Sequence, residues 1–496
     1  MATATLTRPR PGQTEVPPRG RRSFPWPALA LAGLTVGTLV GFLIYPTFPN
    51  YDSYYSLLWG REVLSGELPS FDAYRAPTEH PLAIAFGALL SLVGDDGDRL
   101  MVGATLISFV VLAAGVYRLA ATSFTVAVGL VAGALLCSRF DFPFLAARAY
   151  IDIPYLAFVV WAVALEAGRT RRGGPVFWLL AAAGLLRPEA WLLSGLYFLW
   201  CFPPAPWSRR IRYALLTAIG PVLWTLTDFV ATGDPLFSLT HTSGLAEELG
   251  RQRGLSEIPS ATVEFLVNLD KLPVFMAGVL GLVLCVVLVP RRMVMPLVVL
   301  VIGMGTFVLV GLAGLSVIDR YLLVPSLMVM VFAAVTLAGW TMLHERSWAR
   351  RLWATAAGLV VAYGVVFTAM HVNLSSFDTE LRFRGDSHAA LEKLLRDPRV
   401  EAGRRCGPVS VPNHKLVPDT RWILDAGVDD VIARSDESQR SRLRSGVAIY
   451  ATSRQSLLRQ GFTPQETSVE DVRNSLPLPG YEFVAATGMY GAYVRC

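Results

Sequence analysis

Groups of arginine residues alternate with long apolar runs, and this spacing constrains the fold more than any other feature of the chain. Positively charged residues of membrane proteins stay on the cytoplasmic side. The groups are Arg19–Arg22, Arg118, Arg169–Arg172, Arg209–Arg212, Arg291–Arg292 and Arg346–Arg351. Because one group precedes the first apolar run and the others recur at every second crossing, the pattern predicts a polytopic α-helical protein. The remaining loops, with most of the carboxylates and histidines, then lie outside the cytoplasm.

The composition supports a membrane protein. Of the 496 residues, 53% are hydrophobic and only 17% are charged, which is more apolar than an ordinary soluble domain. The net charge of +6 comes from the cytoplasmic arginines, so it indicates topology and not a nucleic-acid footprint. We therefore predict a multi-pass protein of the plasma membrane, surrounded by membrane lipids, with no nucleic-acid partner.

Apolar segments predict about eleven spans, since a crossing needs about 20 apolar residues. The run 80–94 is too short, and counting it would place the later arginines on the wrong side, so we interpret it as a half-inserted helix on the outer face. The N-terminus is then cytoplasmic and the C-terminus lies outside. The predicted spans are 26–45, 100–119, 122–138, 153–168, 175–186, 190–203, 213–230, 273–289, 294–316, 321–343 and 352–372.

The chain divides into three predicted parts. Residues 1–25, rich in Pro, Thr and Arg, form a disordered cytoplasmic tail. Residues 26–372 form the transmembrane module, with long outer loops at 46–98 and 231–272. In residues 373–496, short β-rich runs alternate with helical stretches, which predicts an extracytoplasmic α/β domain that ends in a hairpin.

The five cysteines divide by environment. Cys137, Cys201 and Cys285 fall within predicted spans and are interpreted as packing residues. Cys406 and Cys496 are the two cysteines of the predicted exterior domain, where oxidation is permitted, and they bracket it almost end to end. We predict a disulfide between them, with two free thiols as the alternative.

The first outer loop carries an acidic residue close to the membrane. Asp52 lies in a stretch rich in Tyr and Trp, whose spacing suits a helix along the membrane surface. Asp52 could cap that helix or act as a catalytic carboxylate. Because Asn caps about as well as Asp but cannot accept a proton, the substitution Asp52→Asn separates the two interpretations.

Other charged residues collect at the outer ends of predicted spans, where they are costly and usually functional. Glu79-His80 could instead form a capped polar turn, and Asp152 could cap the span that it opens. Arg187 and Glu189 flank a proline hinge and could be a structural pair. Arg320 could form a salt bridge with Asp319 or anchor the interface. The motifs are Glu79-His80-Pro81-Leu82, Ala147-Arg148-Ala149-Tyr150-Ile151-Asp152, Leu186-Arg187-Pro188-Glu189 and Asp319-Arg320-Tyr321-Leu322-Leu323-Val324-Pro325.

In order and sidedness, Asp52 and these motifs resemble the GT-C superfamily of polyprenyl-phosphate-sugar glycosyltransferases, which includes protein O-mannosyltransferases and lipid A aminoarabinose transferases. The resemblance covers about residues 26–345. It implies a GT-C-like membrane module and a sugar that arrives on a polyprenyl phosphate in the outer leaflet. A carboxylate then deprotonates an acceptor hydroxyl on a glycan, lipid or protein, and the oxygen displaces phosphate with inversion.

The resemblance also implies residue roles. Asp52 is the expected base, by its place after the first span, and Arg320 suits the phosphate because a guanidinium binds phosphate oxygens in a bidentate manner. If a divalent metal is present, Asp52 and Asp152 are its expected ligands. The outer loop at Asp152 lacks a tight Asp-x-Asp, so we favour a metal-independent enzyme with a monophosphate-linked donor. The expected substrate-binding residues are Glu79, His80, Asp152, Arg187, Glu189, Arg320 and Tyr321.

Two other classes of membrane protein compete with an enzyme. A transporter would place charges at mid-membrane inside discontinuous helices, whereas here they collect at the outer ends of spans. A receptor that presents its exterior domain would not need acids and arginines aligned along one membrane face.

Among enzymes, an acyl or phosphoethanolamine transferase would need a nucleophile or dense metal ligands, and the six histidines are scattered along the chain.

Overall fold

A computed structural model describes residues 25–371, 374–459 and 477–496, so the predicted disordered tail lies outside the described residues, save for its last one. The first part of the chain is a helical bundle with two outer-loop insertions. Its helices are α1 Trp26–Ile44, α2 Tyr51–Leu64, α3 Pro81–Ser91, α4 Gly97–Ser123, α5 Val126–Ser138, α6 Asp141–Ala147, α7 Asp152–Gly168, α8 Gly174–Gly184, α9 Glu189–Cys201, α10 Trp207–Thr232, α11 Phe237–Glu248, α12 Ile258–Leu288, α13 Val294–Leu312, α14 Leu323–Ala338 and α15 Trp348–His371.

Each predicted span coincides with a helix, yet the predicted count of about eleven crossings is not confirmed. Within the described ranges, seven helices are long and apolar enough to cross a membrane, or eight if the bent pair α5 and α6 is one crossing. Helices α8 and α9 have 11 and 13 residues, too few for a crossing each. Hydropathy locates an apolar helix but does not tell a full crossing from a shorter helix packed inside the bundle.

Helix α14 lies at the centre of the bundle and is buried along nearly its whole length. Small residues of α12 allow this contact, because a Cβ on Gly281 would lie 1.9 Å from the Phe332 carbonyl oxygen. Close backbone approach through small residues is typical of helix packing in membranes. By contrast, α1 has no buried residue, as suits a helix that faces lipid.

The first outer loop folds back onto the bundle. Helices α2 and α3 pack with their backbones in contact, since a Cβ on Gly60 or Gly87 would fall within 2.3 Å of the opposite main chain. Residues 53–60 of α2 are all buried, so the predicted helix is present but is covered by protein. Asn50, not Asp52, caps it, because Asn50 Oδ1 accepts from the backbone N–H groups of Asp52 and Ser53. The interpretation of Asp52 as a helix cap is therefore wrong.

The C-terminal part is a small α/β unit with a five-stranded sheet, as the alternation of β-rich runs and helical stretches predicted. Strand β1 pairs in parallel with β2 and β3, and β5 pairs antiparallel with β3 and β4. The closing hairpin turns at Gly488, whose φ of 81° suits glycine. The elements are α16 Leu374–Leu395, α17 Pro398–Arg404, β1 Val409–Val411, α18 Val417–Leu424, β2 Val431–Ala433, α19 Glu437–Ser441, β3 Gly446–Ala451, α20 Arg454–Arg459, β4 Glu482–Ala486 and β5 Tyr490–Arg495.

The predicted disulfide is confirmed: Cys406 and Cys496 are bonded, with their Cα atoms 5.2 Å apart. The cysteines at 137, 201 and 285 are free thiols. The α/β unit is held against the first outer loop, where the buried Arg421 of α18 binds Glu62 of α2 at 2.7 Å. Arg61 and Asp425 form a second ion pair at 2.5 Å. Helix α2 is thus clamped between the bundle and the α/β unit.

Candidate active site

A cavity of about 1020 Å³ opens where the helix ends at one side of the bundle meet the predicted outer loops and the α/β unit. Asp52 at the start of α2, the hinge between α8 and α9, and the segment before α14 all contribute to its wall. A volume of this size accommodates a small-molecule or sugar-sized ligand. The charged motifs from distant parts of the sequence therefore converge on one cavity.

Asp52, Asp152 and Arg320 form the centre of a chain of ion pairs. Arg320 Nη1 lies 3.1 Å from Asp52 Oδ2 and 3.5 Å from Asp152 Oδ2. Asp152 Oδ1 accepts in turn from Arg187, which also binds Glu189 at 2.9 Å. Three carboxylates and two guanidinium groups thus alternate, and the structure brings together five of the residues that the sequence predicted.

These contacts decide three of the structural alternatives. Arg320 binds Asp52 and Asp152, while Asp319 is exposed, so the predicted Asp319–Arg320 salt bridge is wrong. Asp152 lies in the first turn of α7, at the positive end of the helix as predicted, but Ile151 occupies the cap position and the Asp152 carboxylate also binds arginine. The Arg187–Glu189 pair is present, and it is one end of the larger chain.

Burial divides the ion-pair chain into an inner and an outer half. Asp152 is fully buried and the Arg187 side chain is 9% exposed, whereas the side chains of Arg320 and Asp52 are 28% and 21% exposed. The Tyr321 ring lies 5.1 Å from the Arg187 guanidinium, close enough for a cation–π contact. The inner half is therefore held rigidly, and the outer half faces the cavity.

Glu79 and His80 take different positions. His80 lines the cavity, and burial lowers its pKa to about 4, so its imidazole is neutral at pH 7. Glu79 is fully buried and lies at hydrogen-bond distance from the Ser238 hydroxyl. His80 makes no capping hydrogen bond at the start of α3. The capped-turn alternative is therefore wrong for His80, and Glu79 is part of a buried carboxyl pair.

The buried carboxyl pair consists of Glu79 in the first outer loop and Asp228 in α10, and both contact Ser238 of α11. The Ser238 hydroxyl donates to Asp228 at 2.6 Å and also contacts Glu79. One hydroxyl proton cannot serve two carboxylates, so one carboxyl must carry a proton of its own. Burial, and then the neighbouring Asp228, raise the pKa of Glu79 to about 9. Glu79 is therefore the protonated member at pH 7.

Helix α11, in the fourth outer loop, is fastened along its length to the segment 75–79. Besides the Glu79 contact, the Thr78 and Thr242 hydroxyls are 2.7 Å apart, and His241 Nε2 lies 3.1 Å from the Ala76 carbonyl oxygen. Arg75 binds Glu248 at 2.8 Å at the far end. Helix α11 is thus a fixed wall of the cavity.

The sequence did not predict one polar cluster that lies next to α2. His388 of α16 binds Asp419 at 2.9 Å and lies 3.7 Å from Asp98, and Tyr54 donates to Asp98 at 2.9 Å. Burial lowers the pKa of His388, but Asp419 and then Asp98 outweigh this and raise it to about 9. Because these residues are far apart in the sequence and belong to no motif, only the fold brings them together.

The surroundings of the carboxylates bear on whether a divalent metal ion could bind at this site. Within residues 25–371, 374–459 and 477–496, no group of three or more His, Cys, Asp or Glu side chains could hold a metal ion. The two expected ligands, Asp52 and Asp152, both bind the Arg320 guanidinium, so a cation already stands between them. A metal-independent site remains a prediction.

Comparisons with known proteins give the fold. No protein-family model matches this sequence, and no curated protein matches it. The crystal structure of ArnT from Cupriavidus metallidurans bound to undecaprenyl phosphate matches with 13% identity and a TM-score of 0.54, over 94% of this chain and 97% of that one. Its apo form matches with 13% identity and a TM-score of 0.57, over 94% and 98%.

An archaeal protein has a similar fold. The oligosaccharyltransferase AglB from Archaeoglobus fulgidus, in complex with an inhibitory peptide and a dolichol-phosphate, matches with 12% identity and a TM-score of 0.52. The match covers 96% of this chain and 75% of that one. ArnT and AglB are GT-C glycosyltransferases. The predicted GT-C-like architecture, with helices that suit a membrane and a small C-terminal sheet domain, is therefore confirmed.

Proposed function

We propose that this protein is a membrane glycosyltransferase that moves a sugar from a polyprenyl-phosphate donor to an acceptor hydroxyl outside the cytoplasm, with inversion. The observation that carries the proposal is the Asp52–Arg320 pair, which joins a carboxylate and a guanidinium on the wall of one cavity. Undecaprenyl phosphate in the ArnT structure and dolichol-phosphate in the AglB structure support a lipid-phosphate donor.

Arg320 is suited to bind the donor phosphate. A guanidinium has five N–H donors in a rigid fork, and the hydrogen bond that it makes to a side chain uses Nη1, toward Asp52. The opposite side of the fork is available within the described part of the chain. Because Arg187 is occupied by Asp152 and Glu189, we assign it to positioning Asp152, and Asp152 in turn positions Arg320.

Asp52 is the proposed general base. Its carboxylate takes the proton of the acceptor hydroxyl while the acceptor oxygen bonds to the anomeric carbon. The bond from that carbon to the phosphate oxygen breaks, its electron pair stays on the phosphate, and Arg320 stabilises the added charge. A donor phosphate that draws Arg320 toward itself would leave the Asp52 carboxylate free to meet the acceptor hydroxyl.

The remaining predicted residues take supporting roles in this proposal. The neutral His80 faces the cavity and can exchange hydrogen bonds with a sugar hydroxyl. Tyr321 stacks beneath Arg187. Glu79 has no direct part, because it is buried against Ser238. We assign Glu79 to holding α11 against the first outer loop.

The variant Asp52→Asn tests the base. Removal of a general base costs about 10²–10⁴-fold in rate, while the fold should remain because Asn50 caps α2. The assay is glycan and lipid profiling of a deletion strain complemented with wild type or variant, with transfer from undecaprenyl-phosphate-linked sugar measured in nanodiscs. We expect one sugar linkage to be absent from both the deletion strain and the variant.

Asp319→Asn is the matched control. Asp319 is exposed, lines the same cavity and is next to Arg320 in the sequence. Loss of the same charge there should leave the linkage intact. A stable Asp52→Asn variant that restores the linkage at the wild-type rate would refute the assignment of the base. A deletion strain with unchanged glycans and lipids would count against the proposed function as a whole.

A further inference from the structure

Basic side chains from three distant segments meet at the mouth of the cavity, apart from the Asp52–Arg320 pair. Arg75 comes from the first outer loop, Arg251 follows α11, and Lys415 precedes α18 in the α/β unit. All three line the cavity, together with His414. We call this group the basic mouth. The fold, not the local sequence, assembles it.

The contacts within the basic mouth are specific. Arg75 Nη1 lies 3.4 Å from His414 Nδ1, while Arg75 Nε binds Glu248 at 2.8 Å. Burial, and then the charges of Arg75, Lys415 and Arg251, lower the pKa of His414 to about 3. The neighbours of His414 are therefore predominantly cationic, and an imidazole that stays neutral among them offers a hydrogen bond without adding charge.

Tyr51 connects the basic mouth to the proposed base. Its hydroxyl donates to the Arg75 carbonyl oxygen at 2.8 Å, and its ring lies edge-on to His414 at 5.5 Å. Tyr51 also directly precedes Asp52 in the first turn of α2. Tyr51 therefore contacts the basic mouth, and the basic mouth and Asp52 line one cavity.

We propose that the basic mouth is an acceptor subsite that binds an anionic group, a phosphate or a carboxylate, carried by the acceptor near the hydroxyl that reacts. The assignment rests on the proposed function and names the acceptor's chemical class. Cations spaced around a cavity wall favour anions and guide them inward, and charge-assisted hydrogen bonds from Arg and Lys are the strong ones. Because Lys415 belongs to the α/β unit, this unit takes part in acceptor recognition.

The test uses the full-length protein in nanodiscs that contain undecaprenyl phosphate, so that the donor side is occupied, with inorganic phosphate as the calorimetric probe. Each charge-assisted contact is worth about tenfold in affinity. Arg251→Gln combined with Lys415→Gln should weaken phosphate binding at least about tenfold, without loss of thermal stability. Acetate with the same pattern across the variants supports the subsite as well and adds carboxylates to its anions.

Arg253→Gln is the matched control, since it removes a charge from the same loop but its guanidinium binds Glu247 at 3.2 Å. It should bind phosphate as the wild type does. Equal phosphate affinity in the double variant and the wild type, or no phosphate binding at all, would overturn the subsite. The proposed function is judged separately, by undecaprenyl phosphate affinity in Arg320→Gln, which should fall whatever the basic mouth does.

Discussion

Glu79→Gln should make the protein more stable at neutral pH, because it removes the need to hold a proton on a buried carboxyl. The pKa of Glu79 is about 9 in the folded protein, and an exposed carboxyl ionises near pH 4.5. Between these two values the folded state binds the proton that the unfolded state has lost. Stability therefore falls as pH rises from 4.5 to 9, by about 1.4 kcal/mol per pH unit.

Between pH 4.5 and pH 7, the free energy of unfolding therefore falls by about 3 kcal/mol. Gln is neutral at every pH and can donate to Ser238 as the protonated carboxyl does. The two proteins should therefore unfold at similar temperatures at pH 4.5, while at pH 7 the variant should unfold on the order of 5 °C higher. Thermal unfolding of the full-length protein in detergent, at both pH values, measures the difference.

Glu67→Gln is the control, since it removes a carboxyl from an exposed position of the same loop and should change the unfolding temperature equally at both pH values. If Glu79→Gln lowers the unfolding temperature at pH 7, or raises it equally at pH 4.5, the reasoning is refuted. In that case Glu79 is ionised in the folded state and the hydrogen-bond assignment at Ser238 is wrong.

Two further predictions concern the α/β unit. The pKa of His388 is raised to about 9, so the stabilising effect of its charge is complete below pH 6.5 and is lost as pH rises through 9. His388→Gln should therefore lower the free energy of unfolding by about 3 kcal/mol at pH 6 and by little at pH 10. Thermal unfolding at both pH values measures the difference. Equal losses at both pH values would contradict the charge pairing with Asp419. Replacement of Cys406 and Cys496 by Ser removes a cross-link between residues 90 positions apart. This change should destabilise the α/β unit by roughly 2–5 kcal/mol, and limited proteolysis should then cleave the unit faster. An unchanged cleavage rate would argue against a structural disulfide.

The sequence predicted those features that local composition determines. Charges at the outer ends of apolar runs identified Asp52, Asp152 and Arg320, and the fold brings them into contact. Two cysteines in the domain that the sequence predicts to lie outside the cytoplasm predicted their bond, and short β-rich runs predicted the strands. The cost of burying charge determines where such charges lie, and the redox environment determines whether two cysteines bond. Both constraints act on short stretches of chain.

Pairings across long stretches of sequence could not be predicted. The partners Glu62 and Arg421 are 359 residues apart, and neither belongs to a recognisable motif. The same holds for His388 with Asp98. The cap of α2 was missed for a different reason: Asn50 and Asp52 are both good caps, and only the backbone geometry decides between them. The number of crossings could not be predicted, because hydropathy does not report depth in the membrane.

The contacts along α11 carry a mechanical consequence. Hydroxyl, imidazole, carboxyl and guanidinium contacts attach this helix to the segment 75–79 from its first turn to its last. A swing of α11 must break them together or pull that segment along, and His80 with it. The two sides of the cavity cannot then open independently. A substrate that displaces α11 at one side would shift the neutral imidazole at the other.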